Sequence, residues 1–336
     1  MPLRPARDVL LFYEDYDRDT FFKNDRRLRR VVRRVYQRVR QGKPKVTGFE
    51  VWFQLLKKGL ERAGQRVHVN AFRLARKNPE FPVGLCGYPH ILSDWPLPNP
   101  AVVGPGMIDH PKVAPDLMKD PRFRLYVTPC DWYYDMFEPV YGAERCVRWY
   151  AGIDLDEWPD LGAQPKDIDV LIYDKIRWQR EVHEPGLLAL IDETLKKKGL
   201  SSATVRYGRY NHAGYRALLA RSKSMIFLCE HETQGMAYQE AMASNLPILA
   251  WDPGTWVDPQ AKKYDSNPIP ACSVPYFDES CGERFAGAEA FASAFGRFWE
   301  RREGYAPRAF VRDRLSLEES GRIYMRHLAK AAAMSK

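Results

Sequence analysis

Two glutamates and a glycine lie in a segment whose pattern can bind a polar ligand. Glu232 and Glu240 are separated by seven residues, and Gly235 lies between them. The segment follows a short apolar run and enters a helical pattern, so we expect Glu232 in a loop and Glu240 roughly two turns into a helix. Carboxylates accept hydrogen bonds from pairs of hydroxyls, so one ligand with a sugar and a ribose could span both residues.

The start of the same predicted helix can hold an anion. Backbone N–H groups at a helix N-terminus lack intrahelical partners and carry partial positive charge. We expect the amides of Gln234, Gly235 and Met236 to face such an anion, and glycine lets a ligand approach the backbone closely. The pattern therefore indicates a ligand that combines phosphate with sugar.

Three cations follow the predicted strand Asp169–Tyr173. Lys175, Arg177 and Arg180 come directly after it. Both residue types neutralise phosphate, although arginine does so in a bidentate manner. Any of the three could therefore bind phosphate. The alternative is a solvated cluster of surface charges.

Short apolar runs alternate with helical patterns along the chain, which predicts an α/β protein with parallel sheets. The clearest early helix is Phe49–Ala63, which Gly64 ends. The alternation starts afresh after Gly152–Asp160. We therefore predict a domain over residues 1–151, a second over 152–315 and a C-terminal helix over 316–336.

The run from Glu232 to Pro247 resembles glycosyltransferase family 4. That family has a Glu, seven residues, a second Glu, Ala-Met-Ala, a small residue and a Pro before a strand. Asn245 stands where the family has glycine, and asparagine tolerates left-handed backbone geometry. Lys175 and Arg180 match the spacing of the arginine and lysine that hold the donor diphosphate in the family, with the residue types exchanged, and Asp174 replaces the family's glycine. The resemblance therefore implies Lys175 and Arg180 as phosphate ligands, with Arg177 as a competing candidate.

The resemblance implies the GT-B fold, in which two Rossmann-like domains face each other across a cleft and the C-terminal helix crosses back to the first domain. It also implies a retaining glycosyltransferase of the hexosyltransferase type, which moves a sugar from a nucleotide-sugar donor to an acceptor hydroxyl. Such enzymes need neither a metal nor another cofactor, so the D-x-D strings of this chain are attributed to chance. Glu232 would then be catalytic, and Glu240 would bind the nucleotide.

Further site residues follow from the same resemblance. Tyr210 and His212 would contact the nucleobase, although aromatic residues at these positions also fit plain packing. Gly48 precedes the first helix, near which substrate phosphate passes in the family. His110 is our first candidate for a catalytic histidine of the N-terminal half and His90 the second, with structural roles as the alternative.

The positive charge is concentrated near the N-terminus. The net charge is +9, yet the stretch Lys23–Lys45 holds eleven Lys or Arg and one acid, Asp25. Residues 26–40 have apolar residues at helical spacing with arginines between them. Three interpretations are open: a domain helix with its apolar side on the sheet, a helix on an anionic membrane, and a nucleic-acid surface. We do not expect nucleic acid, because no known nucleic-acid motif accompanies the helix.

Location and acceptor are less constrained by the sequence. No run approaches the ~20 apolar residues of a membrane span, and the first residues lack a secretory signal pattern. The six cysteines are scattered, which fits free thiols in a reducing compartment. We expect a cytoplasmic protein, peripheral at the inner membrane face if the basic helix docks there. The acceptor stays open between lipid-linked and polysaccharide, and the alternative functions are a GT-B nucleotide-sugar epimerase and a non-catalytic protein that binds anionic surfaces.

Overall fold

The computed structural model describes residues 3–4, 7–14, 22, 25, 28, 29, 31, 32, 48–93 and 95–334. The chain divides into two compact units. The first consists of Met1–Pro129, Tyr134–Gly152 and Leu317–Lys336, and the second of Cys130–Tyr133 and Ile153–Ser316. The main chain thus passes into the second unit after Gly152 and returns to the first after Ser316.

Each unit is built on a parallel sheet. The first sheet has six strands in the order β2-β1-β3-β4-β5-β6, and the second has five in the order β11-β10-β9-β7-β8. The strands are β1 Asp8–Glu14, β2 Arg66–Val69, β3 Val83–Gly87, β4 Ala101–Val103, β5 Phe123–Thr128, β6 Cys146–Arg148, β7 Ile168–Asp174, β8 Ser202–Arg206, β9 Ser222–Leu228, β10 Ile248–Trp251 and β11 Gly282–Phe285. Strands β3, β4, β5 and β10 are buried along their whole length, as in parallel sheets whose two faces are both covered.

Helices connect the strands of both sheets. The described α-helices are α1 Gly48–Arg62, α2 Phe72–Lys77, α3 His90–Ser93, α4 Asp131–Tyr141, α5 Arg180–His183, α6 Ala189–Lys197, α7 His212–Arg221, α8 Met236–Ala243, α9 Ala288–Arg301, α10 Pro307–Arg314 and α11 Leu317–Ala333. A π-helical turn, Glu184–Leu188, joins α5 to α6. The helical segment that follows β7 is therefore interrupted at Pro185, which has no N–H to donate.

The C-terminal helix α11 packs closely on α1 within the first unit. A Cβ atom on Gly59 would lie 2.7 Å from the carbonyl oxygen of Leu317, and one on Gly321 would lie 2.3 Å from that of Gly59. Only glycine permits helix backbones to approach this closely. The predicted return of the C-terminal helix to the first domain is confirmed.

The core of the second unit lies between its sheet and helices α6 and α9. Side chains of β7 and β9 contact Ile191 and Leu195 of α6 and a row of phenylalanines on α9, which are Phe291, Phe295 and Phe298. Neither β11 nor α9 has a counterpart among the predicted elements. The predicted strand Asp169–Tyr173 lies within β7, which extends one residue further at each end.

Three turns have the left-handed geometry that their residues favour. Gly64 after α1, Gly199 after α6 and Asn245 after α8 have φ angles of 84°, 64° and 65°. Glycine adopts this region without strain, and asparagine does so more readily than most side chains. The expectation that Asn245 replaces a turn glycine is confirmed.

The predicted basic helix over 26–40 lies largely outside the described residues. Residues 25, 28, 29, 31 and 32 are helical, and Arg29 forms an ion pair with Asp25 at 3.5 Å. Leu28, Val31 and Val32 are each 58% exposed. The interpretation that the apolar side of this helix rests on the sheet is therefore wrong for these three residues. Within the described ranges, no helix has the length and apolar character needed to traverse a bilayer.

Candidate functional site

The candidate site lies at the carboxyl edge of the second sheet, between β7 and β9. These neighbouring strands are parallel, and Asp174 at the end of β7 is in register with Leu228 at the end of β9. The chain leaves β7 toward β8 on one side and continues with β9 on the other. Ligands of open α/β sheets bind outside the carboxyl ends of the strands at such a change of direction.

A buried ion pair joins the two loops that begin there. The ammonium group of Lys175 donates to Oε1 of Glu232, and both side chains are only 13% exposed. Burial by itself would lower the pKa of Lys175, but the adjacent Glu232 carboxylate outweighs it and the net shift is upward. The structure thus brings together the predicted phosphate ligand and the predicted catalytic glutamate.

Arg180, the second predicted phosphate ligand, is hydrogen-bonded to two carboxylates that lie close to it in sequence. Arg180 donates through Nη1 and Nη2 to the two carboxylate oxygens of Asp174, at 3.0 and 2.7 Å. Its Nε donates to Glu184 at 2.9 Å. The hydrogen bond with Asp174 raises the pKa of Arg180. Asp174, which replaces the family's glycine, therefore neutralises this cation.

Two residues of the site, Glu230 and His231, were not singled out from the sequence. Glu230 is 1% exposed, and its Oε1 accepts hydrogen bonds from the backbone N–H groups of Arg177 and Trp178 at 2.8 and 2.9 Å. The His231 ring stacks on Trp178 with centroids 5.1 Å apart. Burial and the Arg177 and Lys175 charges lower the pKa of His231 to about 3, so its ring is neutral. The closely spaced acids and histidine of residues 230–232 were the available signal.

The loop before α8 is shaped by Gly235. This residue caps the helix with φ 80° and ψ 54°, and a Cβ there would lie 2.1 Å from the Tyr238 ring. The side chains of Gln234 and Gln239 are buried and hydrogen-bonded to each other at 3.1 Å. Met236 is the first helical residue, so amides of this loop lie where the sequence predicted them.

Glu240 lies one turn into α8 rather than the predicted two, because the helix begins only at Met236. The residue is 9% exposed, and its carboxyl group makes no hydrogen bond to any other described residue. Burial, with a smaller contribution from Glu157, raises the pKa of Glu240 to about 8, against an opposing effect of Arg216. At neutral pH this carboxyl group therefore carries a proton.

The predicted nucleobase residues lie beside this cluster. The hydroxyls of Tyr210 and Tyr173 are 2.8 Å apart, and the charges of both Glu240 and Lys175 act on the Tyr210 hydroxyl. His212 is the first residue of α7, and its ring lies 6.4 Å from that of Trp158. The half-exposed ring of Tyr207, which the sequence analysis missed, lies 4.5 Å from the Lys175 ammonium.

The candidates from the N-terminal half belong to the first unit. His110 is buried, and its Nδ1 accepts a hydrogen bond from the Lys112 amide at 3.1 Å, which caps a short 3₁₀ turn. His90 begins α3, and its ring stacks near Tyr88 at 6.2 Å. Gly48 is the first residue of α1. Their predicted roles in catalysis and binding stay predictions.

A metal site was not expected from the sequence. Across the described ranges, no group of three or more His, Cys, Asp or Glu side chains is arranged to hold a metal ion. Metal independence stays a prediction, because a substrate can bring its own cation.

No protein-family model and no curated protein matches this sequence. Solved structures are similar. Sucrose-phosphate synthase from Thermosynechococcus elongatus is 12% identical with a TM-score of 0.54, over 96% of this chain and 100% of that one. The apo form of the lipopolysaccharide outer core galactosyltransferase WaaB is 10% identical with a TM-score of 0.52, over 94% and 98%.

A third similar structure is a mutant of S. aureus TarM in complex with Fondaparinux, alpha-GlcNAc-glycerol and UDP. It is 9% identical with a TM-score of 0.51, over 76% of this chain and 57% of that one. This chain likewise spans only 60% of the matched chain of the GtfA/B complex. At these identities the likeness shows the fold alone, and with the two parallel sheets it confirms the predicted GT-B fold.

We expect Glu232→Ala to lower the free energy of unfolding by about 3–5 kcal/mol, because it leaves the Lys175 ammonium buried without a counter-charge. The double variant Lys175→Met/Glu232→Gln should regain most of this loss. Urea unfolding of wild type, Lys175→Met, Glu232→Gln and this double variant measures the coupling. Arg221→Ala, which breaks an exposed pair with Asp167, is the control and should cost at most about 1 kcal/mol. Additive effects of the two substitutions would contradict the pairing.

The raised pKa of Glu240 makes stability depend on pH. Between its ordinary value of 4.5 and about 8, the folded state keeps a proton that the unfolded state has lost. The contribution of Glu240 to stability should therefore fall by about 1.4 kcal/mol per unit as the pH rises through this window and level off above it, whereas the lowered pKa of His231 acts in the opposite direction below its ordinary value of 6.5. Glu240→Gln should remove this slope. Parallel curves of stability against pH for wild type and variant would contradict the assignment.

Proposed function

We propose that this chain is a retaining, metal-independent glycosyltransferase that moves a hexose from a nucleotide-sugar donor to an acceptor hydroxyl. The supporting observation is the Lys175–Glu232 pair at the carboxyl edge of β7 and β9, with the buried Glu240 one turn into the adjoining helix. A cation for phosphate and two carboxyl groups for hydroxyls converge on one edge of a GT-B fold. The resemblance to glycosyltransferase family 4 rests on the same residues.

Donor binding would exchange the partners of the ion pair. The donor diphosphate takes the Lys175 ammonium, and the freed Glu232 carboxylate accepts hydrogen bonds from hydroxyls of the sugar. Both buried groups stay paired throughout, so the exchange avoids the cost of an isolated buried charge. The ammonium and the amides around Gly235 then stabilise the charge that develops on the departing diphosphate.

Glu240 would form hydrogen bonds with the hydroxyls of the ribose. Its carboxyl group has no protein partner within the described ranges, and a protonated carboxyl both donates and accepts hydrogen bonds. Tyr210 and His212 are proposed to contact the base, and the half-exposed Tyr207 ring adds an aromatic face near Lys175. Among the similar structures, that of TarM contains UDP. We therefore regard UDP-sugars as the first donors to test.

Retention follows in this proposal from attack on the same face that the diphosphate leaves, which needs no protein nucleophile. His110, and after it His90, remain our candidates for a histidine that acts near the donor sugar. A cytoplasmic location is part of the proposal, and it is supported by six free cysteines.

Two other functions would use the same fold. A nucleotide-sugar epimerase would place acids and histidines around the donor sugar, and a non-catalytic protein would use its basic surface alone. Incubation with a nucleotide sugar separates them. Free sugar released slowly, with its initial anomer identified by NMR, supports a transferase and tests retention. Isomerised donor supports the epimerase, and no binding supports the non-catalytic protein.

We also propose that the helix near the N-terminus docks on an anionic membrane. Leu28, Val31 and Val32 share one helical face and are exposed. The surrounding stretch, Lys23–Lys45, carries eleven cations and one acid. Apolar residues that insert between lipids, flanked by cations that attract anionic headgroups, are typical of interfacial helices. Such docking favours a lipid-linked acceptor over a polysaccharide.

The donor site predicts distinct effects for three variants. Thermal-shift and titration measurements with UDP-, GDP- and ADP-sugars should identify one donor that raises the melting temperature. Lys175→Met should raise its Kd by about 10- to 100-fold, because a charged hydrogen bond is lost. Glu240→Ala should also weaken donor binding, whereas Glu232→Ala should mainly lower turnover. EDTA should change neither the donor binding nor the turnover of the wild type.

The matched control for this experiment is Lys223→Met. Lys223 pairs with Asp169 at the opposite, amino end of β9 and β7, at 2.7 Å. It should bind and turn over the donor like wild type. Unaltered activity in both glutamate variants would show that the site is assigned wrongly.

The docking helix predicts selective binding to lipid. Wild type should cosediment with vesicles that contain phosphatidylglycerol but not with pure phosphatidylcholine, and high salt should weaken the binding. Val31→Glu/Val32→Glu should reduce vesicle binding by about tenfold or more, because two apolar side chains no longer enter the bilayer. Donor binding should not change. Equal sedimentation of variant and wild type would contradict the proposal.

A further inference from the structure

We infer that Glu230 is a positioning residue, which holds the loop after β7 so that Lys175 faces Glu232. The effect on a donor rests on the proposed function, whereas the effect on the loop does not. Glu230 follows β9 by two residues, and the loop that it contacts covers residues 175–179. The connection is therefore made across two adjacent strand ends, between residues far apart in sequence.

The Glu230 carboxylate meets the loop through its backbone. Oε1 accepts hydrogen bonds from two consecutive amides, those of Arg177 and Trp178. Successive N–H groups that converge on one oxygen form a small concave site for an anion, and here the protein fills it with its own carboxylate. These bonds satisfy Oε1 of a side chain that is only 1% exposed, whereas the buried Oε2 accepts no hydrogen bond from the described residues.

The two residues that follow Glu230 make further contacts with the loop after β7. His231 stacks on the ring of Trp178, and its Nε2 lies 3.5 Å from a guanidinium nitrogen of Arg177. Glu232 takes the ammonium of Lys175. Three consecutive residues, 230–232, thus contact three of the four residues 175–178, and Glu230 supplies the two backbone hydrogen bonds.

The remaining loop amides are satisfied separately. Lys175 N–H donates to the Leu228 carbonyl at 2.8 Å, and Ile176 N–H donates to Asp174 at 3.2 Å. Without Glu230, the next two amides would lose their acceptor, and the backbone hydrogen bonds of the loop would be confined to its start. A ligand role for Glu230 itself is disfavoured, because its side chain is only 1% exposed and its Oε1 already accepts two backbone hydrogen bonds. It acts through the loop.

Two conservative substitutions at Glu230 distinguish the effect of side-chain length from the effect of charge. Glu230→Gln keeps an oxygen at the same distance but removes the charge, and Glu230→Asp keeps the charge but shortens the side chain by one methylene. Hydrogen–deuterium exchange, resolved to single amides, reports on Arg177 and Trp178 directly. We expect about wild-type exchange in the Gln variant and exchange at least about tenfold faster in the Asp and Ala variants.

Donor affinity is measured on the same proteins. Kd for the donor should follow the exchange rates, rising by about tenfold in Glu230→Asp and Glu230→Ala and little in Glu230→Gln. Rescue by Gln argues for positioning, since a general loss of stability would not depend on side-chain reach. Glu283→Ala removes a partly buried acid on β11 that binds Arg301 and should change neither quantity. The strand amide of Met225 is the internal reference for exchange.

The outcomes distinguish this inference from the proposed function. Exchange at residues 177 and 178 that is unchanged in the Asp and Ala variants overturns the inference. Faster exchange in these variants, together with a wild-type protein that binds no nucleotide sugar, supports the role of Glu230 in the loop and rejects the proposed function. Faster exchange without weaker donor binding rejects the link between loop and donor.

Discussion

The ion pair of Lys175 and Glu232 is the interaction on which the arrangement of the site depends. Both groups are mostly buried, and an unpaired charge in such surroundings would cost several kcal/mol. The loops after β7 and β9 therefore have to stay in contact. Asp174 likewise pairs with Arg180. Glu230 accepts hydrogen bonds from backbone amides that lie between Lys175 and Arg180. Lys175 and Arg180 are thus each compensated by a carboxylate at the same edge of the sheet.

This compensation constrains any anionic ligand. A diphosphate that binds Lys175 or Arg180 has to replace a carboxylate that already binds it, whereas Arg177 is exposed and forms no ion pair with a described carboxylate. The two pairs differ in how readily they exchange. Arg180 and Asp174 form two parallel hydrogen bonds of fixed geometry, whereas Lys175 presents a single ammonium without a preferred plane. The lysine is thus the more exchangeable cation, and the arginine holds the end of β7 in shape.

How well each feature could be predicted from the sequence depended on how far apart in the chain the contacting residues lie. The two sheets, the loop position of Glu232 and the left-handed Asn245 depend on neighbours in sequence, and the pattern predicted them. The depth of Glu240 was wrong by one turn, because it lies only four residues after Met236, the first residue of the helix. The pairing of Lys175 with Glu232 and the role of Glu230 connect residues more than fifty positions apart, which no local pattern contains. The exposed apolar face of the basic helix likewise depends on what the rest of the chain leaves uncovered.

Three glutamates of one short segment illustrate how surroundings assign a role. Glu230 accepts hydrogen bonds from two backbone N–H groups and is buried, so its role is structural. Glu232 binds a flexible ammonium and can exchange it. Glu240 has no protein partner in the described ranges and keeps a proton at neutral pH, so it can donate as well as accept. One residue type thus provides a fixed support, an exchangeable partner and a neutral hydrogen-bonding group, because burial and neighbours set the protonation and the freedom of each.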